Sequence, residues 1–90
     1  MMAEVNLMCE AAEEINQDYA NWLLFEAWKA YNLSCIYWDM NDHDAWREHE
    51  NVAYHLYMAW SKYTNIEFEN GFADLNGFTE DDFAKFGLVW

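Results

Sequence analysis

The chain has 90 residues, of which 54% are apolar and 20% aromatic, and seventeen carboxylates face four bases for a net charge of −13. That length supports one domain and leaves no room for a second core. The charge opposes direct binding of nucleic acid or an anionic membrane surface and favours basic partners, while the aromatic content excludes disorder for most of the chain.

Six Trp, six Tyr and six Phe are more rings than so small a sphere readily hides. Some are expected on the surface, as at interfaces; the alternative is that rings replace aliphatic residues in a small core. Only eight residues are β-branched and proline is absent. Strands are normally rich in the former, and long helices are helped by lacking the latter. The expected fold is mainly α, with residues 1–90 as a single compact domain. It comprises a small bundle of two long helices and a short C-terminal helix, with a minor β-hairpin from residues 33–38 and 66–69 as an alternative.

In chain order, Val5, Met8, Ala12, Ile15, Tyr19 and Trp22 recur in steps of three and four. That spacing predicts a helix over about residues 3–31, bent near Asn16–Asp18. From Tyr19 to Trp38 apolar side chains occur on every side, so this stretch must be buried by its own chain or by a partner. Residues 33–38, LSCIYW, suit either a short strand or a continued buried helix, and helix is favoured. Too short a run, with Glu26 and Lys29 inside it, argues against a membrane span over residues 22–38. DMNDHD (39–44) is a break with capping chemistry, since Asn41, Asp42 and Asp44 can each accept from free backbone N–H groups. A second helix follows over Asp44–Tyr63 with Trp46, His49, Ala53, Leu56, Trp60 and Tyr63 as its stripe, ended by Thr64-Asn65. IEFE (66–69) alternates as a short edge strand does. Thr79 with Asp82 approximates a capping box, Gly87 suits a helix stop, and a last helix is expected over 80–86. Leu88, Val89 and Trp90 form an apolar tail that must dock or remain exposed.

Catalytic chemistry finds little support. His43, His49 and His55 are spaced six and six, whereas residues on one helix face are three or four apart. No metal site, cofactor or catalytic residue is expected. Cys9 lies beside Glu10, and neighbouring carboxylates raise a thiol pKa. Cys35 reads as a small buried hydrophobe. Two cysteines make no disulfide framework, and no basic residue precedes Lys29, so no secretory signal is expected and the cytoplasm is the expected compartment. Three scattered glycines form no phosphate cradle.

The acids are the remaining signal. They fall in three blocks: Glu4, Glu10, Glu13, Glu14, Asp18 and Glu26; then Asp39, Asp42, Asp44, Glu48 and Glu50 against Arg47; then Glu67, Glu69, Asp74, Glu80, Asp81 and Asp82. A surface that is merely soluble usually mixes both signs. Carboxylates one helical turn apart, such as Glu10 with Glu14 or Asp44 with Glu48, lie about 6 Å apart. That is comparable with the phosphate spacing along a DNA strand. In size, acidic blocks and unpaired aromatics the chain resembles the small acidic inhibitors that phages use against host defence: DNA-mimic anti-restriction proteins, the uracil-glycosylase inhibitor and several anti-CRISPRs. The resemblance implies a non-enzymatic viral inhibitor in the host cytoplasm, bound to the basic nucleic-acid channel of a nuclease or CRISPR effector. In such a complex all of these acids except Glu4 and Glu26 steer association, and Trp38, Trp46 and Trp90 serve as anchors. The alternative is a helical adaptor whose aromatic surface is closed by self-association into a homodimer.

Overall fold

The computed structural model describes residues 15–90; the first part of the expected N-terminal helix, and with it Cys9, Glu10, Glu13 and Glu14, lies outside them. Helix α1 spans Gln17–Asp39. Asn16 does not bend this helix but starts it: its side chain accepts from the Tyr19 N–H at 3.2 Å, satisfying one of the free donors of the first turn. With neither glycine nor proline before Gly71, α1 continues through LSCIYW as helix, so the strand alternative for 33–38 is not formed.

The chain then reverses within three residues. The Asn41 N–H donates to the Trp38 carbonyl at 3.0 Å and the Asp42 N–H to the Tyr37 carbonyl at 2.9 Å. Asn41 itself is left-handed, with φ +66°. This is a Schellman closure, and asparagine is the residue after glycine that best tolerates its central position. Asp42 immediately caps α2 (His43–Thr64), accepting from the Ala45 N–H at 3.2 Å. Asn65, again left-handed at φ +61°, ends α2. Replacing Asn41 by alanine is expected to lower stability by about 1 kcal/mol, whereas Asn41→Gly stays within a few tenths of the parent; urea denaturation of both variants checks this.

Helices α1 and α2 are antiparallel, and the Asn16 N–H donates to the Tyr63 hydroxyl at 2.8 Å, tying the start of one to the end of the other. The buried stripe of α1 runs through Ala20, Leu23, Ala27, Ala30 and Ser34, in steps of three and four. On α2 it runs through Ala53, Tyr57, Trp60 and Thr64. Tyr19 and Trp22, expected on the buried stripe, are instead exposed and stacked on each other at 6.0 Å. Small side chains at the stripe let the two helix backbones approach, and the larger rings beside them are displaced outward.

The C-terminal segment lays a second layer on this hairpin. IEFE forms no strand, and the described residues contain none. A strand needs a ladder partner, and 33–38 is already helical. Instead the Tyr57 hydroxyl accepts from the Phe68 N–H at 2.9 Å, and the Phe68 ring packs on Trp60 at 4.9 Å. A 3₁₀ helix over Gly71–Gly77 buries Leu75 completely. Helix α3 (Glu80–Ala84) carries the expected capping box, with the Thr79 N–H donating to Asp82 at 2.8 Å, and buries Phe83 against Phe25 and Trp28. The Trp28 indole N–H donates to the Phe78 carbonyl at 3.1 Å. Gly87, at φ +78°, turns the chain so that Trp90 meets Trp28 edge to face at 5.4 Å, while Val89 and about half of Trp90 remain exposed.

Candidate functional site: the tip of the helical hairpin

The second layer stops short of the hairpin tip. Its outermost ring contacts are those of Phe72, which meets Tyr31 at 6.0 Å and Tyr54 at 5.6 Å. Beyond that level, from Cys35 to Val52, no residue is fully buried. Yet this stretch holds Ile36, Tyr37, Trp38, Met40 and Trp46, with Trp38 51% and Met40 64% exposed. The stretch apolar on every side is thus covered along its middle and bare at its end.

The three-residue reversal brings Trp38 and Trp46 together. Their ring centroids lie 4.9 Å apart at 63°, and the His43 ring stacks on Trp38 at 4.8 Å. Beside this contacting pair opens an apolar cleft of about 310 Å³, lined by Cys35, Trp38, Asp39 and Trp46. Cys35 was expected to be buried; it is exposed, because α1 runs past the covered region before reaching it. Further back, burial raises the Tyr31 phenol above its ordinary range, and the neighbouring Cys35 and Glu50 push it the same way. That hydroxyl stays neutral at physiological pH.

The expected anchors do not form one patch. Trp90 lines a separate groove of about 420 Å³ with Leu33, His49, Val52 and Leu56, sharing no residue with the tip cleft. On its other side Trp90 adjoins Glu80 and Asp81.

The acids divide similarly. Asp39, Asp42, Asp44, Glu48 and Glu50 surround the tip, with Arg47 as the base of that stretch. Asp18 lies at the opposite end of α1, roughly 30 Å away at 1.5 Å per residue. Glu67, Glu69, Asp74, Glu80, Asp81 and Asp82 belong to the C-terminal layer. Among the described residues a single ion pair forms, Glu26 with Lys29 at 2.9 Å. Three of the acids also build structure: Asp42 caps α2, Asp82 closes the capping box, and Asp74 accepts from the Asn70 backbone and side chain, both at 3.1 Å. Asp39, Asp44 and Glu48 accept no such bond among the described residues and face water.

The three histidines do not converge. His43 stacks on Trp38, His49 on Tyr37 at 4.9 Å, and His55 meets Tyr54 edge to face at 5.6 Å. Within the described residues no three His, Cys, Asp or Glu side chains lie close enough to share a metal ion. No described helix is long and apolar enough to cross a membrane. What the tip offers is a partly exposed aromatic cluster with carboxylates around it. Compared with known proteins, the chain matches no family model, and neither a curated protein nor a solved structure matches it.

Proposed function

We propose that this chain is a non-enzymatic acidic inhibitor that occupies the basic nucleic-acid-binding surface of a host defence nuclease or CRISPR effector, in the manner of the phage counter-defence proteins it resembles. The hairpin tip makes first contact. The observation that carries the reading is the bare stretch from Cys35 to Val52, where exposed aromatic and aliphatic side chains sit among five carboxylates and one arginine. The carboxylates speed encounter with a positive groove and repel nucleic acid itself. The two tryptophans then supply the buried anchors that dominate interface energy.

The test is a pull-down from the cytoplasm of the native host at low salt. The expected result is retention of a basic nucleic-acid-binding protein, released by competing duplex DNA or RNA and weakened on the order of tenfold between 50 and 200 mM salt, as screening of exposed charges requires. Retention of a partner indifferent to both salt and nucleic acid contradicts the proposal.

A second reading, self-association, draws on Tyr19 and Trp22, exposed and stacked at the other end of the hairpin. Sedimentation separates the two: self-association gives a dimer that disappears on Trp22→Ala, whereas the inhibitor reading needs only the monomer.

A further inference from the structure

We propose that the cleft bordered by Trp38, Trp46 and Asp39 is a receptor for one arginine side chain of the basic partner. This inference rests on the reading above that the partner is a basic protein, and it names the group the tip recognises.

Three features of the cleft select the occupant. Two of its four lining residues are tryptophans, and indoles attract cations more strongly than tyrosine or phenylalanine when the charge lies within about 6 Å. His43 already stacks on Trp38, so the cation is received on the indole surface that borders the cleft. Its lip carries Asp39, and among the described residues no base lies within ion-pair distance of that carboxylate. Finally, Asp42, Asp44 and Glu48 lie within nine residues of Asp39 around the same turn and add negative potential. Anionic ligands, phosphates included, are therefore repelled. A neutral aromatic or aliphatic side chain fits the apolar walls, but filling the cleft with it would strip water from Asp39 without replacing the lost interactions. A cation satisfies both walls and lip.

Arginine does so better than lysine. The guanidinium is planar and weakly hydrated, stacks on an indole face, and can donate two parallel N–H bonds to one carboxylate. An ammonium keeps its water more strongly and presents a single point of charge. The same indole can therefore hold the guanidinium plane while Asp39 accepts at its edge.

The probes are two fluorescein-labelled peptides of equal length and charge, one alternating Arg with Gly and one alternating Lys with Gly, titrated with the intact protein and followed by anisotropy. The expected result is on the order of tenfold tighter binding of the arginine peptide. Trp38→Ala removes that preference and leaves both peptides bound with similar, weaker affinity. Asp39→Asn reduces the preference as well. The double variant Asp44→Asn/Glu48→Gln, which removes charge from the same turn without touching the cleft, weakens both peptides alike and keeps the preference. Equal, salt-sensitive binding of the two peptides by the parent overturns the arginine receptor while leaving the acidic-inhibitor reading intact. Absence of binding to either peptide overturns both.

Discussion

Trp28→Ala is expected to remove most of the stability of the fold. Trp28 is buried where the hairpin meets the C-terminal layer, packed against Phe25 at 6.0 Å and Phe83 at 5.0 Å, and against Trp90 at the end of the chain. Truncating a buried tryptophan costs about 3–5 kcal/mol through lost burial and the cavity left behind. Loss of the indole N–H also strands the Phe78 carbonyl, adding about 1 kcal/mol or more. Domains of this size hold only about 5–13 kcal/mol in total. Trp28→Phe keeps a ring in place but not the donor, so it should fall between parent and alanine variant. Thermal and urea unfolding followed by circular dichroism give the order directly. An alanine variant as stable as the parent would mean that the two layers are not held together at this point.

Ten residues along the same helix, the expectation reverses. Trp38→Ala with Trp46→Ala should change stability by only about 1–2 kcal/mol, since Trp38 is half exposed and Trp46 only partly buried. The same pair of substitutions is expected to weaken binding to the basic partner by about a hundredfold, as loss of central aromatic anchors does at other interfaces. Calorimetry on the partner recovered by pull-down, set beside unfolding curves of the same protein, separates the two effects. Removing the tip acids that neither cap a helix nor line the cleft, Asp44 and Glu48, should act differently, slowing association and flattening the salt dependence. Asp42, Asp74 and Asp82 are poor choices for that experiment, because their caps and turn bonds would be lost with their charge.

Much of this architecture could be read from residue order. Three-four spacing located α2, Thr64-Asn65 marked its end, and Thr79 with Asp82 marked the start of α3. Those features are local, and local chemistry decides them. The buried stripe of α1 was harder to see because Ala20, Ala27 and Ala30 form much of it. Periodicity judged by large side chains follows Tyr19 and Trp22 and misses residues whose contribution is their small size. IEFE alternates as a strand would, yet pairing is a property of two segments, and its only candidate partner became helix. The tip cleft was the least legible part. Trp38 and Trp46 are eight residues apart in sequence and meet only because Asn41 closes α1 in a left-handed conformation and Asp42 opens α2 at once. An asparagine-aspartate pair between two helical patterns was the available signal for so tight a reversal. The acids were visible as charge but not as places: Asp18 and the tip carboxylates lie at opposite ends of α1, so the negative surface has separate centres.

The central claim is that the acidic aromatic tip takes the place of nucleic acid on a basic protein. It is tested most directly by measuring release of a labelled DNA or RNA strand from the recovered partner as this protein is added. The account predicts complete, saturable displacement by the parent and little or none by the variant carrying Trp38→Ala and Trp46→Ala. If the partner binds this protein tightly while the labelled strand stays in place, the tip is not standing in for nucleic acid and the claim is wrong.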